Sequence, residues 1–113
     1  MIRSVLRATL FSLLLAFPLL TWANEAYWID VRTAEEYAAG HVSQAVNIPY
    51  EEITRRIGEV TTDKDALIYV YCRSGRRSGI AREALDEAGF GNVINAGGLE
   101  EALKKAAQHT PSE

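Results

Sequence analysis

Short apolar runs alternate along the chain with stretches whose apolar residues recur at helical spacing, and this rhythm defines the elements. Tyr27-Trp28-Ile29-Asp30-Val31 reads as a first strand. Thr33 then opens a helix with Glu36 three residues on. That is the capping-box spacing, in which the hydroxyl takes the third helical amide and the carboxylate reaches back to the cap. Residues 35–39 continue the helix and Gly40 closes it. Val46-Asn47-Ile48 is a brief strand stopped by Pro49, which holds Ile48 extended and begins another helix. Residues 51–57 carry acids first and arginines later, the order a helix dipole favours, and residues 61–65 form a polar turn.

Ala66-Leu67-Ile68-Tyr69-Val70-Tyr71 is apolar without alternation, as expected of a central strand covered on both faces. Ser78 is expected to cap the helix that follows, with Ile80, Ala81, Ala84, Leu85 and Ala88 as its apolar stripe and Gly89-Phe90 as its exit. Asn92-Val93-Ile94 is a further strand, Gly97-Gly98 a turn, and residues 99–107 a last helix with a fraying tail. Strands and helices in this order predict one α/β domain, a small parallel sheet flanked by helices on both faces.

The first stretch stands outside that pattern. Arg3 and Arg7 precede an apolar run from Ala8 to Leu20, interrupted by Thr9, Ser12 and Pro18, and Thr21-Trp22-Ala23 follows. This is the layout of a secretory signal peptide cleaved after Ala23, so residues 1–23 are expected to be a leader and residues 24–113 the domain. A membrane anchor fits less well, because a span takes about 20 apolar residues without such interruptions. The expected compartment is the periplasm, with no membrane partner after cleavage.

Charge sharpens the picture. The chain holds 12 basic and 15 acidic residues; Arg3 and Arg7 leave with the leader, so 10 basic face 15 acidic residues and the net charge is near −5. Such a balance argues against nucleic acid as a partner. Cys72 is the only cysteine, so no internal disulfide can form. A lone thiol in an exported protein is either buried and inert or kept for its reactivity.

The segment after Cys72 favours reactivity. Arg73-Ser74-Gly75-Arg76-Arg77-Ser78 follows it directly, between a strand end and a helix start, where open α/β sheets bind their ligands. Gly75 is free to take a positive φ, so the loop can turn its amides inward as an anion cradle, to which the helix start adds its positive end. A thiol in such a cradle has a depressed pKa. Three arginines are unfavourable at a helix N-terminus, and an anionic substrate would account for them. Pairing with Glu83, Asp86 or Glu87 is the alternative account.

Four segments together resemble the rhodanese-like family, most of all its minimal single-domain exported thiosulfate sulfurtransferases. They are Trp28-Ile29-Asp30-Val31-Arg32 with Glu36-Tyr37; Gly40-His41-Val42 through Ala45-Val46-Asn47-Ile48-Pro49; Val70-Tyr71-Cys72 with its loop; and Asn95-Ala96-Gly97-Gly98-Leu99. The resemblance implies that Cys72 takes the outer sulfur of thiosulfate, holds it as a persulfide and passes it to cyanide or a thiol, which includes the thiol of a partner protein. It implies substrate contacts from Arg73, Ser74, Gly75, Arg76, Arg77 and Ser78, the sulfonate being held by one or more of the three arginines, and neither metal nor organic cofactor. A persulfide carrier serving a protein partner is the second reading. A phosphatase or arsenate reductase is the third, but the related enzymes of those kinds carry an arginine six residues after the cysteine, where this chain has Ser78. The chain departs from the family's pattern at Ala102, where a Trp is common, and by offering no strand and helix between the leader and Tyr27, so its sheet is expected to be small.

Other polar residues read as structural. Asp30 is expected to accept hydrogen bonds from Arg32 or nearby amides, and His41 to sit at a turn without acting on Cys72. Tyr27, Trp28, Tyr69 and Tyr71 are expected to pack the core.

Overall fold

A computed structural model describes residues 25–109 of the chain. The leader read at residues 1–23 lies outside the described residues. Among the described residues no helix is long and apolar enough to cross a membrane.

Alternation along one strand decides how the molecule is layered. Strand β3 (Ile68–Tyr71) is buried at every position. Ile68 and Val70, with Cys72 just beyond, join an aliphatic cluster that includes Ile29, Val31, Ile48, Ile53 and Leu85. Tyr69 and Tyr71 point the other way, into a cluster with Trp28, Val42, Ala102 and Ala106. Neighbouring strand positions face opposite sides of a sheet, so an unbroken apolar run is what two covered faces require. Around β3 lie β1 (Tyr27–Asp30), β2 (Val46–Asn47) and β4 (Val93–Asn95). The sheet order is β2-β1-β3-β4 and every pair is parallel, with Trp28 opposite Tyr69 and Val70 opposite Asn95.

Helices fill both faces. Helix α2 (Ile53–Arg56), set between two 3-10 turns, and helix α3 (Arg76–Glu87) cover the aliphatic side. Helix α1 (Ala34–Ala39), through Tyr37, and helix α4 (Leu99–His109), through Ala102 and Ala106, cover the aromatic side. The small alanines of α4 leave room for stacked rings beneath it; Trp28 and Tyr69 have centroids 4.3 Å apart.

Local signals place most ends. Both halves of the capping box are present at Thr33 and Glu36. Helix α3 leaves through Gly89 at φ 103°, whose amide bonds Asp86 O while that of Phe90 bonds Leu85 O. That pair of bonds is a Schellman motif, and Phe90 packs into the same cluster as Leu85.

Several expectations are corrected. Helix α3 starts at Arg76 with Gly75 as its cap, so Ser78 lies inside the first turn and does not cap it. The buried stripe runs Ser78, Ala81, Leu85, and Ile80, one residue before Ala81, falls on the flank with 42% exposure. Tyr27 opens β1 on the surface, 39% exposed, instead of packing inside. Residues 66 and 67 precede β3, because the amide of Ala66 closes the polar turn onto Asp63 O. Residues 50–59 form one irregular helical segment, and α4 runs two residues past its expected end.

Candidate functional site

Cys72 follows β3 at the carboxyl edge of the sheet, and the period-2 alternation carries its side chain to the side covered by α3. The residue is 1% exposed. Its backbone is tied to the turn after β4, the amide donating to Gly97 O at 2.9 Å. The chain then doubles back at Gly75, whose φ of 103° is a left-handed value that glycine adopts without strain. This reversal aims the Gly75 amide at the Cys72 sulfur, 2.9 Å away. The Ser78 hydroxyl lies 3.4 Å from the same sulfur.

These groups set the acidity of the thiol. Burial alone would raise its pKa, yet the Ser78 hydroxyl and the amides of Ser78, Gly75 and Ser74 outweigh burial and hold that pKa below its ordinary value. The arrangement is therefore a buried thiol whose ionised form is favoured by dipoles and by one hydroxyl.

The three arginines of the loop part company. Arg73 and Arg76 are exposed. Arg77 reaches across the strand ends to α1, its two terminal nitrogens donating to the Glu36 carboxylate at 2.9 and 3.1 Å. Pairing with α3's own Glu83, Asp86 or Glu87 does not occur; the partner is 41 residues away. Glu36 is thus shared between its capping box and Arg77, and Arg77, with the Thr33 amide, lowers it to about 2. Arg77 is raised in turn, chiefly by Glu36 and to a smaller degree by the charge of Cys72. Ser74 is exposed at the loop tip, Gly75 half-buried, and Ser78 fully buried.

The Gly97-Gly98 turn closes the site from the other side. A Cβ on Gly98 would come within 2.5 Å of the Arg73 carbonyl oxygen, so only glycine lets the two loops approach this closely. The Gly98 amide is taken by Glu101 Oε1 at 2.6 Å.

Sequence reading missed two contributors. Asn95 accepts from the Ser78 hydroxyl and donates to Gly75 O; its place beside the Gly-Gly turn was visible, its bonds were not. Glu36 showed as a capping residue and as part of the first family-like segment, and nothing local signals a partner 41 positions on. His41 stacks on Tyr37 with centroids 3.6 Å apart, and its Nδ1 lies 2.7 Å from Tyr37 O, so it is engaged with α1 and not with Cys72. Asp30 is fully buried and takes the amide of Arg32 at 2.9 Å and its guanidinium in a fork.

Known proteins resemble this chain in sequence and in shape. A family model for the rhodanese-like domain matches residues 19–105. The chain is 47% identical over 92 residues to the thiosulfate sulfurtransferase PspE of Escherichia coli strain K12, covering 81% of this chain and 88% of the relative. It is 40% identical over 70 residues to a sulfurtransferase of Allochromatium vinosum, covering 62% of this chain and 64% of the relative. A solved structure of a rhodanese with anions from E. coli superposes with a TM-score of 0.66 at 47% identity, covering 68% of this chain and 91% of the other.

Proposed function

This chain belongs to the rhodanese-like family, and on that premise we propose that it is a thiosulfate sulfurtransferase working through a persulfide on Cys72. The observation that carries the reading is a buried sulfur whose thiol pKa is held below its ordinary value by the loop amides and by Ser78.

The chemistry follows from that state. The Cys72 thiolate attacks the outer sulfur of thiosulfate. A new S–S bond forms, the old one breaks, and sulfite departs with the electron pair. Arg73 and Arg76, exposed at the rim, hold the sulfonate oxygens, which favours binding of the dianion and the departure of sulfite. In the second half an acceptor, cyanide or a thiolate, attacks the outer sulfur of the persulfide. Thiocyanate or a new persulfide leaves, and the electron pair returns to Cys72. The cradle stabilises the thiolate in the resting enzyme and again as leaving group, so one set of dipoles serves both half-reactions. Ping-pong kinetics follow.

The position six residues beyond Cys72 supports sulfur transfer over phosphate chemistry. Ser78 occupies it, buried against the sulfur, so no guanidinium is available there to gather phosphate oxygens. The apolar leader supports export, with residues 24–113 acting in the periplasm on small anionic donors and on thiol or cyanide acceptors.

The test is direct. Mature protein treated with thiosulfate gains the mass of one sulfur atom on Cys72 and then forms thiocyanate from cyanide; Cys72→Ser does neither. A folded wild-type protein that gains no sulfur sinks the reading. Export is checked separately, by a purified periplasmic protein whose N-terminus is Asn24.

A further inference from the structure

Asn95 ends β4 with an exposed side chain, yet that side chain makes three hydrogen bonds. Its Oδ1 accepts from the Ser78 hydroxyl at 2.7 Å and from the Gly97 amide at 2.9 Å. Its Nδ2 donates to Gly75 O at 3.0 Å. Each of those three residues also bonds Cys72. The Gly75 amide donates to Sγ at 2.9 Å, the Ser78 hydroxyl lies 3.4 Å from Sγ, and Gly97 O takes the Cys72 amide at 2.9 Å. Asn95 thus holds, one step removed, three of the residues that fix the sulfur and the amide of Cys72.

The chemistry of the side chain suits this place. An amide N–H can only donate and a carbonyl can only accept, so Gly97 and Gly75 fix which end of the Asn95 amide faces which. A carboxylate of the same shape would keep both acceptor bonds but set an oxygen against Gly75 O and bring a negative charge beside the sulfur. An aliphatic side chain would release all three segments.

We propose that Asn95 is a positioning residue for Cys72, clamping Gly75 and Ser78 against the sulfur and Gly97 against the Cys72 amide. The inference rests on Cys72 being the nucleophile, and it concerns a residue that touches neither the sulfur nor the loop rim where substrate enters.

The test compares wild type, Asn95→Ala and Asn95→Asp by the pH dependence of Cys72 alkylation with iodoacetamide, together with kcat and KM for thiosulfate and with thermal midpoints. In Asn95→Ala the alkylation midpoint rises by about one pH unit, the scale of one lost hydrogen bond to a charged group, and kcat falls roughly tenfold. KM stays within about twofold, since no substrate contact is removed. In Asn95→Asp the midpoint rises further because a charge is added. Unchanged midpoints in both folded variants would overturn the proposal. A falling midpoint in Asn95→Ala would also overturn it, because Asn95 would then be a competitor for the Ser78 proton and not a clamp. Alkylation needs no sulfur donor, so its outcome is independent of whether thiosulfate is the substrate; a wild-type protein that takes up no sulfur counts against the proposed function alone.

Discussion

Two strand ends on the same edge of the sheet each carry an acidic group, and the protein treats them in opposite ways. Asp30 ends β1, and its carboxylate is closed off at once by Arg32, whose guanidinium forks onto both oxygens at 2.7 to 3.1 Å. Asp30 is 0% and Arg32 6% exposed. Arg32 is spent further on Gly40 O at 2.7 Å and on the face of Tyr71. Cys72 follows β3, the strand beside it, and is bonded by no guanidinium; backbone amides and a hydroxyl favour its ionised form, Arg77 acts on it only through space, and Arg73 and Arg76 face solvent. A charge neutralised by a locked guanidinium is a girder, since nothing incoming can compete for it. A charge stabilised by dipoles keeps its lone pairs reactive and leaves mobile cations for a substrate.

The largest effects come from breaking either end. Cys72→Ser should lose sulfur transfer altogether while keeping the fold, measured as thiocyanate release beside a thermal melt. Asp30→Ala should do the reverse in kind. It leaves the Arg32 charge buried without its partner, which costs about 3–5 kcal/mol. For a domain of this size that lowers the thermal midpoint by on the order of 15 °C. If Asp30→Ala melts like wild type and only turnover falls, the girder account of β1 is wrong and Asp30 belongs to the catalytic end.

The sequence was informative where chemistry and spacing are local. Thr33 and Glu36, Gly89 and Phe90, and the apolar run into Cys72 each announce their roles within a few residues, and they anchor α1, the exit of α3 and the central strand. It was less informative where a choice depends on long-range geometry. Ser78 has the chemistry of a helix cap, but Gly75 already reverses the chain with its left-handed φ, so the helix begins earlier and the serine turns inward to the sulfur. Tyr27 looks like core in a strand pattern, yet it sits where β1 begins and one side of it has no cover. Arg77 is indistinguishable from Arg73 and Arg76 along the loop; only the approach of α1 to α3 at the strand ends separates it. Asn95 was part of a recognised motif without a role, because two of its partners, Gly75 and Ser78, lie at the start of α3, which only the folded sheet brings to the end of β4.

That separation of the arginines gives a middle-sized prediction. Arg73→Ala and Arg76→Ala should each raise KM for thiosulfate by roughly tenfold, the scale of one charge-assisted hydrogen bond to an anion. Cys72 alkylation by an uncharged reagent should change little in both. Arg77→Ala should raise KM less than either, because its guanidinium is committed to Glu36. Steady-state kinetics on the three variants check the order. Equal losses in all three would mean that Arg77 leaves Glu36 to join the substrate.

The smallest effect concerns that ion pair itself. Glu36 is lowered to about 2, first by Arg77 and next by the Thr33 amide. A carboxylate whose folded value lies below its ordinary value of 4.5 contributes stability above that ordinary value and loses it as pH falls toward the folded value. The window is therefore pH 4.5 down to about 2. The side chains are 22% and 26% exposed, so solvent screening holds the contribution to about 1 kcal/mol. Glu36→Gln should lower the thermal midpoint at pH 7 by a few degrees and flatten the acid limb of the stability curve across that window. Arg77→Ala should flatten it in part only, since the Thr33 amide still lowers Glu36. If Glu36→Gln leaves the acid limb as steep as in wild type, Glu36 is not what couples α1 to the Cys72 loop.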